Sequence, residues 1–153
     1  MIAASSVLVR EAALDELTEL HAGIPELKPL SGPVSYQERI GDRAWLGLVA
    51  EVEREAVAFK LGYWLDDRIF YSWVGGVLPT ARRLGLARTL LREQERRVTG
   101  SGARELRVKS MNRYPGMMQL LLSEGYLITG IEGEDPGLSK IHFTKTLEAA
   151  GEQ

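Results

Sequence analysis

The junction between a strand pattern and a helix pattern over residues 73–97 constrains this chain more than any other feature. The stretch reads WVGGVLPTARRLGLARTLLREQERR. Its two adjacent glycines, Gly75 and Gly76, weaken the strand, and they predict a β-bulge or a close approach by another backbone or by a ligand. Pro79 cannot donate a ladder hydrogen bond, so strand pairing is expected to end there. A simple turn would need none of these residues.

The helix that follows, expected from Leu84 onward, has the features of an anion-binding site. The first N–H groups of a helix lack intrahelical partners and carry a partial positive charge. Gly85 lets an anion approach the backbone without a Cβ in the way, and Arg82 and Arg83 add full charges beside it. A phosphate-bearing ligand therefore fits this junction.

The hydrophobic periodicity of the whole chain predicts an α/β (α+β) fold. Three β-rich segments separated by short charged breaks read as an antiparallel meander, and helical periods lie before and after them. We expect a mixed, mostly antiparallel central sheet of six to seven strands flanked by about four helices. The predicted strands cover residues 6–12, 44–52, 56–65, 68–78 and 103–110 with a closing hairpin near the C-terminus, and the predicted helices cover 13–23, 35–42, 84–98 and 114–125.

Composition narrows the class of protein. The 153 residues suit one domain, 1–153, and a net charge of −2 argues against a protein that coats nucleic acid. The chain has no cysteine, and its two histidines form no ligand-spaced pair with acids, so we expect no metal site. No apolar run approaches the ~20 residues of a membrane span, and no signal-peptide pattern is present. A cytoplasmic protein without a membrane partner is expected.

A spaced motif runs through the junction. The dinucleotide fingerprint and the nucleotide-triphosphate loop are both missing. The residues instead read V-x-P-x-x-R-x-x-G-x-A, at Val77, Pro79, Arg82, Gly85 and Ala87. This motif resembles the acetyl-CoA signature of the GNAT N-acetyltransferase superfamily, and the order of predicted elements resembles that family over nearly the whole chain. An ordinary strand-to-helix turn with surface arginines is the alternative interpretation.

The resemblance implies that acetyl-CoA is a co-substrate held between two strands that splay apart, those ending at Val77 and covering 105–110. The pantetheine arm would pair with exposed backbone as an added strand does. The Val77 N–H would also polarise the thioester carbonyl. Asn112 would contact the cofactor, or else cap the chain before Pro115. The implied cofactor-binding residues are Val77, Leu78, Arg82, Arg83, Leu84, Gly85, Leu86, Ala87 and Asn112.

The catalytic acid that the resemblance implies is missing. Many family members place a tyrosine five residues before the aromatic of a GF/GY ending; here that ending is Tyr126, and Leu121 stands at the tyrosine position. Tyr114 is the nearest replacement by sequence and is our candidate general acid, although packing at the entrance to a helix explains it equally well.

Candidate acceptor-binding residues lie on the predicted meander. Tyr71 and Trp73 could line an acceptor pocket, although strand aromatics more often belong to the core. Lys60 could bind an anionic acceptor, or it could be an edge or solvent-face lysine. His142 is expected to pack on a C-terminal strand, and no general base can be assigned.

These residues favour an acetyl-CoA-dependent N-acetyltransferase that acts on a primary amine of an unidentified small molecule or protein, by direct attack in a ternary complex. Two alternatives stay open, a non-catalytic acyl-CoA-binding or sensing domain of the same fold and a plain interaction protein. The family resemblance also allows a homodimer.

Overall fold

The computed structural model describes residues 6–27 and 33–148, which form seven strands and four helices of eight or more residues. Residues 28–32, between the first two predicted helices, lie outside the described residues. The strands are β1 (Val7–Glu11), β2 (Trp45–Val52), β3 (Glu55–Trp64), β4 (Ile69–Val77), β5 (Glu105–Met111), β6 (Leu127–Glu132) and β7 (Lys140–Thr146). The helices are α1 (Leu14–Ala22), α2 (Pro33–Ile40), α3 (Leu86–Gly100) and α4 (Pro115–Ser123).

The seven strands form one mixed sheet in the order β1-β2-β3-β4-β5-β7-β6. Every neighbouring pair is antiparallel except β4 and β5, which are parallel. A parallel pair needs a crossover, and α3 supplies it. The predicted α/β class and the antiparallel meander β2-β3-β4 are therefore confirmed.

Each face of the sheet is covered by one pair of helices. One face packs Phe59, Leu61 and Tyr71 against α1 and α2. The other face packs Phe70, Leu106 and their neighbours against α3 and α4. Strand alternation explains the division, because Tyr71 and Phe70 are adjacent and must point to opposite sides. We call these the α1 face and the α3 face.

The two glycines of the junction do not form the β-bulge. The register of β3 against β4 shifts one step earlier, so that Trp73 is the extra residue. A Cβ on Gly75 would lie 2.7 Å from the Phe59 carbonyl oxygen, and a Cβ on Gly76 would lie 2.9 Å from Ile24 Cδ1. The glycines are thus required by close approach of the chain's own atoms.

Helix boundaries differ from the sequence prediction at two places. A short 3₁₀ turn, Pro79–Ala81, follows β4, and both Arg83 and Gly85 have positive φ, so α3 begins at Leu86 and not at Leu84. Helix α2 begins at Pro33, two residues before the start predicted at Ser35, so Ser35 lies inside the helix. Proline suits a first helical turn, because its missing N–H would have no partner there.

Candidate active site

A gap opens in the middle of the sheet where β4 and β5 stop pairing. Their parallel register runs only from Ile69–Glu105 to Ser72–Val108. Beyond that point β4 pairs with β3, and β5 pairs with β7. The facing edges of the two strands therefore have no ladder partner within the described chain, which leaves room for an extended ligand.

The β3 register shows which backbone groups face this gap. The Leu78 N–H donates to the Val57 carbonyl oxygen at 2.8 Å, so Leu78 points toward β3. Backbone groups alternate along a strand, and the N–H groups of Val77 and Gly75 therefore point away from β3 and into the gap. Gly75 is a candidate that the sequence prediction missed, because the direction of its N–H depends on register.

The N-terminus of α3 offers unpaired donors close after the end of β4. Gly85 is the N-cap with φ of 74°, and a Cβ there would meet no atom within 4 Å. Its carbonyl oxygen accepts bonds from the N–H and the Oγ1 of Thr89. The N–H groups of Leu86, Ala87 and Arg88 have no acceptor among the residues that the structure describes. This arrangement fits a phosphate.

Glu26 bridges the open end of the gap. Its carboxylate pairs with the Arg82 guanidinium, which also donates to the Val77 carbonyl oxygen at 3.2 Å. Its carbonyl oxygen accepts the Tyr114 hydroxyl at 3.2 Å. Arg82 follows β4 and Tyr114 follows β5, so Glu26, which follows α1, connects both sides of the gap. Arg82 is therefore already paired, and Arg83 is exposed beside it.

The candidate Asn112 and the residue at the missing tyrosine position, Leu121, lie in different surroundings beyond β5. The Asn112 side chain donates to the Pro136 carbonyl oxygen at 2.9 Å, in the loop between β6 and β7. Leu121 is fully buried in the core of the α3 face, where it supplies no proton.

Lys60 is not on an edge or a solvent face, so that expectation is wrong. It lies in the central strand β3, is 6% exposed, and points to the α3 face. Burial lowers its pKa to about 8, and the charge of Glu95 opposes this shift. Because Tyr71 and Trp73 belong to the α1 face, the three residues do not line one pocket.

A cavity of about 500 Å³ lies on the α1 face beside the last paired residues of β4 and β5. Tyr71 forms part of its wall, and burial raises the pKa of that phenol to about 12. Arg39 of α2 donates to the Tyr63 hydroxyl at 3.0 Å and stacks on Trp73, 5.2 Å from its ring centroid. The hydrogen bond to Tyr63 raises the pKa of Arg39, which keeps the cation charged.

Other charges around this cavity are paired. Lys109 and His142 both contact the Glu132 carboxylate, at 3.1 and 2.8 Å. Arg107 pairs with Glu105 at 2.6 Å. His142 is therefore not a packed core residue. The alternation Ile141–His142–Phe143 already pointed to this, because Ile141 and Phe143 are buried on the opposite face.

No group of three or more histidine, aspartate or glutamate side chains in the described ranges could hold a metal ion. No helix within 6–27 and 33–148 is long and apolar enough to cross a membrane.

Solved structures share this fold along almost the whole chain. The ribosomal-protein-S18-alanine N-acetyltransferase from Escherichia coli superposes with a TM-score of 0.80 at 18% identity, covering 95% of this chain and 97% of that one. Ard1 from Thermoplasma volcanium gives 0.77 at 13% identity, covering 94% and 99%. The GNAT superfamily phosphinothricin acetyltransferase from Sinorhizobium meliloti, in complex with AcCoA, gives 0.75 at 17% identity, covering 97% and 92%.

A scan against protein-family models and a search of curated proteins both find no match. The structural similarity defines the class: this chain has the fold of the GNAT acetyltransferases.

Proposed function

We propose that this protein is an acetyl-CoA-dependent N-acetyltransferase that transfers the acetyl group directly to a primary amine in a ternary complex. One observation carries the proposal, the unpaired gap between β4 and β5 with the free N-terminus of α3 beyond the end of β4. The same fold binds AcCoA in the S. meliloti acetyltransferase.

The gap and the helix take different parts of the co-substrate. The exposed backbone of Val77 pairs with the pantetheine arm, and the Gly75 N–H, two residues closer to the paired rows, is directed to the thioester carbonyl in place of the Val77 N–H that the resemblance implied. The N–H groups of Leu86, Ala87 and Arg88 bind the pyrophosphate, with Gly85 and the exposed Arg83 beside them. The N–H of Leu78 donates to Val57 and its carbonyl oxygen accepts from Ala81, so Leu78 lies beside the co-substrate without a free backbone group to bind it.

The acceptor enters from the α1 face through the cavity. Tyr71 and Val108 line the cavity and lie in the last paired rows of β4 and β5, so the cavity reaches the vertex of the gap. The co-substrate and the acceptor thus approach one point from opposite faces of the sheet, which suits direct attack without an acetylated enzyme.

The charge of the cavity indicates the acceptor class. Arg39 has no carboxylate partner among the described residues, whereas the neighbouring cations do. Its guanidinium is held by Tyr63 and Trp73, which leaves donors for a carboxylate on the acceptor. An amine that carries a carboxylate group, such as an amino acid or a peptide, fits this site best.

A thiol-release assay with paired amines tests the function and the acceptor class together. Each amino acid or peptide is compared with the matching amine that lacks the carboxylate. We expect turnover with carboxylate-bearing members, and we expect Arg39→Ala to lower kcat/KM for them by about tenfold or more while leaving acetyl-CoA binding unchanged. Equal turnover of both members of every pair would reject the acceptor class.

A non-catalytic acyl-CoA-binding domain is the second candidate, and the burial of Leu121 where a hydroxyl is expected favours it. Tyr114 stays a candidate acid, although its hydroxyl already donates to Glu26. If Tyr114 is the acid, Tyr114→Phe will lower kcat much more than it weakens acetyl-CoA binding. Acetyl-CoA binding without thiol release across the whole panel would support the binding domain over the enzyme.

A further inference from the structure

Lys60 is a buried cation without a partner. Its ammonium makes no hydrogen bond and no ion pair with any residue that the structure describes, and the side chain is 6% exposed. A buried charge is costly unless a counter-group satisfies it. Such a residue in the centre of the sheet points to a ligand that is bound beside it.

The stem of the Lys60 side chain lies against Gly75 of β4. Lys60 pairs with Gly75, and a Cβ on Gly75 would lie 3.3 Å from Lys60 Cγ. The stem of the lysine thus occupies the space that a side chain on Gly75 would need. Since Lys60 is on the α3 face and the Gly75 N–H faces the gap, the lysine stem lies on the α3 side of the edge where the thioester is proposed to bind.

Three fully buried polar groups without partners lie on the same side of the sheet as Lys60. Ser72 Oγ is on the last paired row of β4, Ser110 Oγ is on the unpaired part of β5, and the Gln94 side-chain amide projects from α3. Buried polar groups are nearly always hydrogen-bonded in folded proteins. Three such groups, on β4, β5 and α3, face the same side of the sheet and indicate a polar ligand group between the sheet and α3.

We propose that Lys60 is the proton donor to the sulfur of CoA, in place of the tyrosine that Leu121 replaces. This inference rests on the proposed acetyl transfer. The acceptor nitrogen forms a bond to the carbonyl carbon, the carbon–sulfur bond breaks, and the sulfur keeps the electron pair. Lys60 gives one ammonium proton to that thiolate and regains one from solvent, which receives the proton that the acceptor nitrogen loses.

The Lys60 ammonium and a thiol have similar pKa values. Burial lowers the pKa of Lys60 to about 8, and the thiol of a cysteine side chain, the nearest reference group, has an ordinary pKa of about 8.5. A donor whose pKa lies close to that of the leaving group transfers its proton without a large energetic penalty, and it is still mostly charged at neutral pH.

The test measures the thiol of bound CoA and needs no acceptor. The thiolate absorbs in the far ultraviolet, so a pH titration of the CoA complex reports the pKa of the bound thiol. We expect wild-type protein to lower that pKa by about one or more, a tenfold or larger change in acidity, and Lys60→Met to return it to the value of free CoA. Lys140→Met, at an exposed position of β7, is the matched control and should behave as the wild type.

The outcomes separate this inference from the proposed function. A wild-type complex with an unshifted thiol pKa, or a Lys60→Met complex with the wild-type value, would overturn the role of Lys60 alone. Binding of desulfo-CoA should be equal in wild type and Lys60→Met, which shows that the variant is folded. Failure of the wild type to bind CoA at all would overturn both the inference and the proposed function.

Discussion

Lys60 is a single residue that should make the free energy of unfolding depend on pH. In the unfolded chain it holds its proton up to about 10.5, whereas in the fold it loses it near 8. Below pH 8 the folded protein bears the full cost of the buried charge. Because the unfolded state binds more protons between pH 8 and 10.5, the free energy of unfolding from this group rises over that window.

Lys60→Met should therefore stabilise the protein without ligand. At pH 7 the gain should reach about 3.5 kcal/mol at most, since the pKa differs by about 2.5 between the two states and each pKa unit corresponds to ~1.4 kcal/mol. The gain should shrink as pH rises from 8 toward 10.5. Urea unfolding of both proteins at several pH values measures this, and a variant that is less stable than wild type at pH 7 would contradict it.

Gly75 is a second residue with a specific energetic role. An added Cβ would press on the Phe59 carbonyl oxygen at 2.7 Å, and backbone cannot move aside easily. Gly75→Ala should cost about 1–3 kcal/mol of stability. Gly100→Ala, inside α3 with open space around it, should instead stabilise by about 0.5–1 kcal/mol. Thermal unfolding compares the two, and equal melting temperatures would refute the steric argument.

The sequence predicted a β-bulge or a close approach at these glycines but could not identify the approaching atoms. Their neighbours, Phe59 and Ile24, are distant along the chain, and only the sheet register brings them close. The same limit applies to Lys60. A lysine within a hydrophobic strand favours a solvent face unless the position of that strand in the sheet is known, and β3 lies between β2 and β4.

The N-terminus of α3 gives a prediction at the scale of an element. Gly85 and Gly102 lie before and after this helix, both with positive φ and with open space at the Cβ position. Alanine at either position should cost about 1–2 kcal/mol of stability from backbone strain. Only Gly85→Ala should weaken acetyl-CoA binding, by about tenfold, because its methyl group projects where the phosphate is proposed to lie. Calorimetry on both variants checks this, and equal affinities would contradict the phosphate site.

Hydrophobic periodicity predicted the existence and type of the elements well. The change from period 2 to period 3.6 located the meander, α3 and the closing hairpin β6-β7. The beginning of α3 was placed two residues early, because Leu84 fits the apolar period although Arg83 and Gly85 leave the helical region. Local backbone conformation decided a boundary that side-chain pattern alone could not.

The exposed edge of the sheet gives a prediction about the oligomeric state of the protein. Strand β6 is an outer strand, and its Leu127, Ile128 and Ile131 side chains are 69%, 54% and 68% exposed. An apolar edge strand favours pairing with another chain. We predict that a second copy covers it, and that Ile131→Lys gives a monomer while leaving the melting temperature nearly unchanged. Sedimentation measures the mass, and a monomeric wild type would contradict this.

The proposed acceptor cavity could be predicted from the sequence only in part. Tyr71 was predicted from strand alternation, but Arg39, Lys109 and His142 come from α2, β5 and β7, and no local pattern connects them. The residues of the motif at the junction, in contrast, lie close together along the chain. Their spacing was therefore enough to predict a ligand site. The register of β4 and β5 leaves a gap beside the motif in which such a ligand fits.

Calorimetric titration of the wild-type protein with acetyl-CoA tests the central claim most directly, because the gap and the free end of α3 are proposed to serve this one ligand. We predict one site per chain with a Kd in the micromolar range, about −8 kcal/mol. An absence of binding heat at several temperatures, together with an unchanged melting temperature in excess acetyl-CoA, would contradict the account.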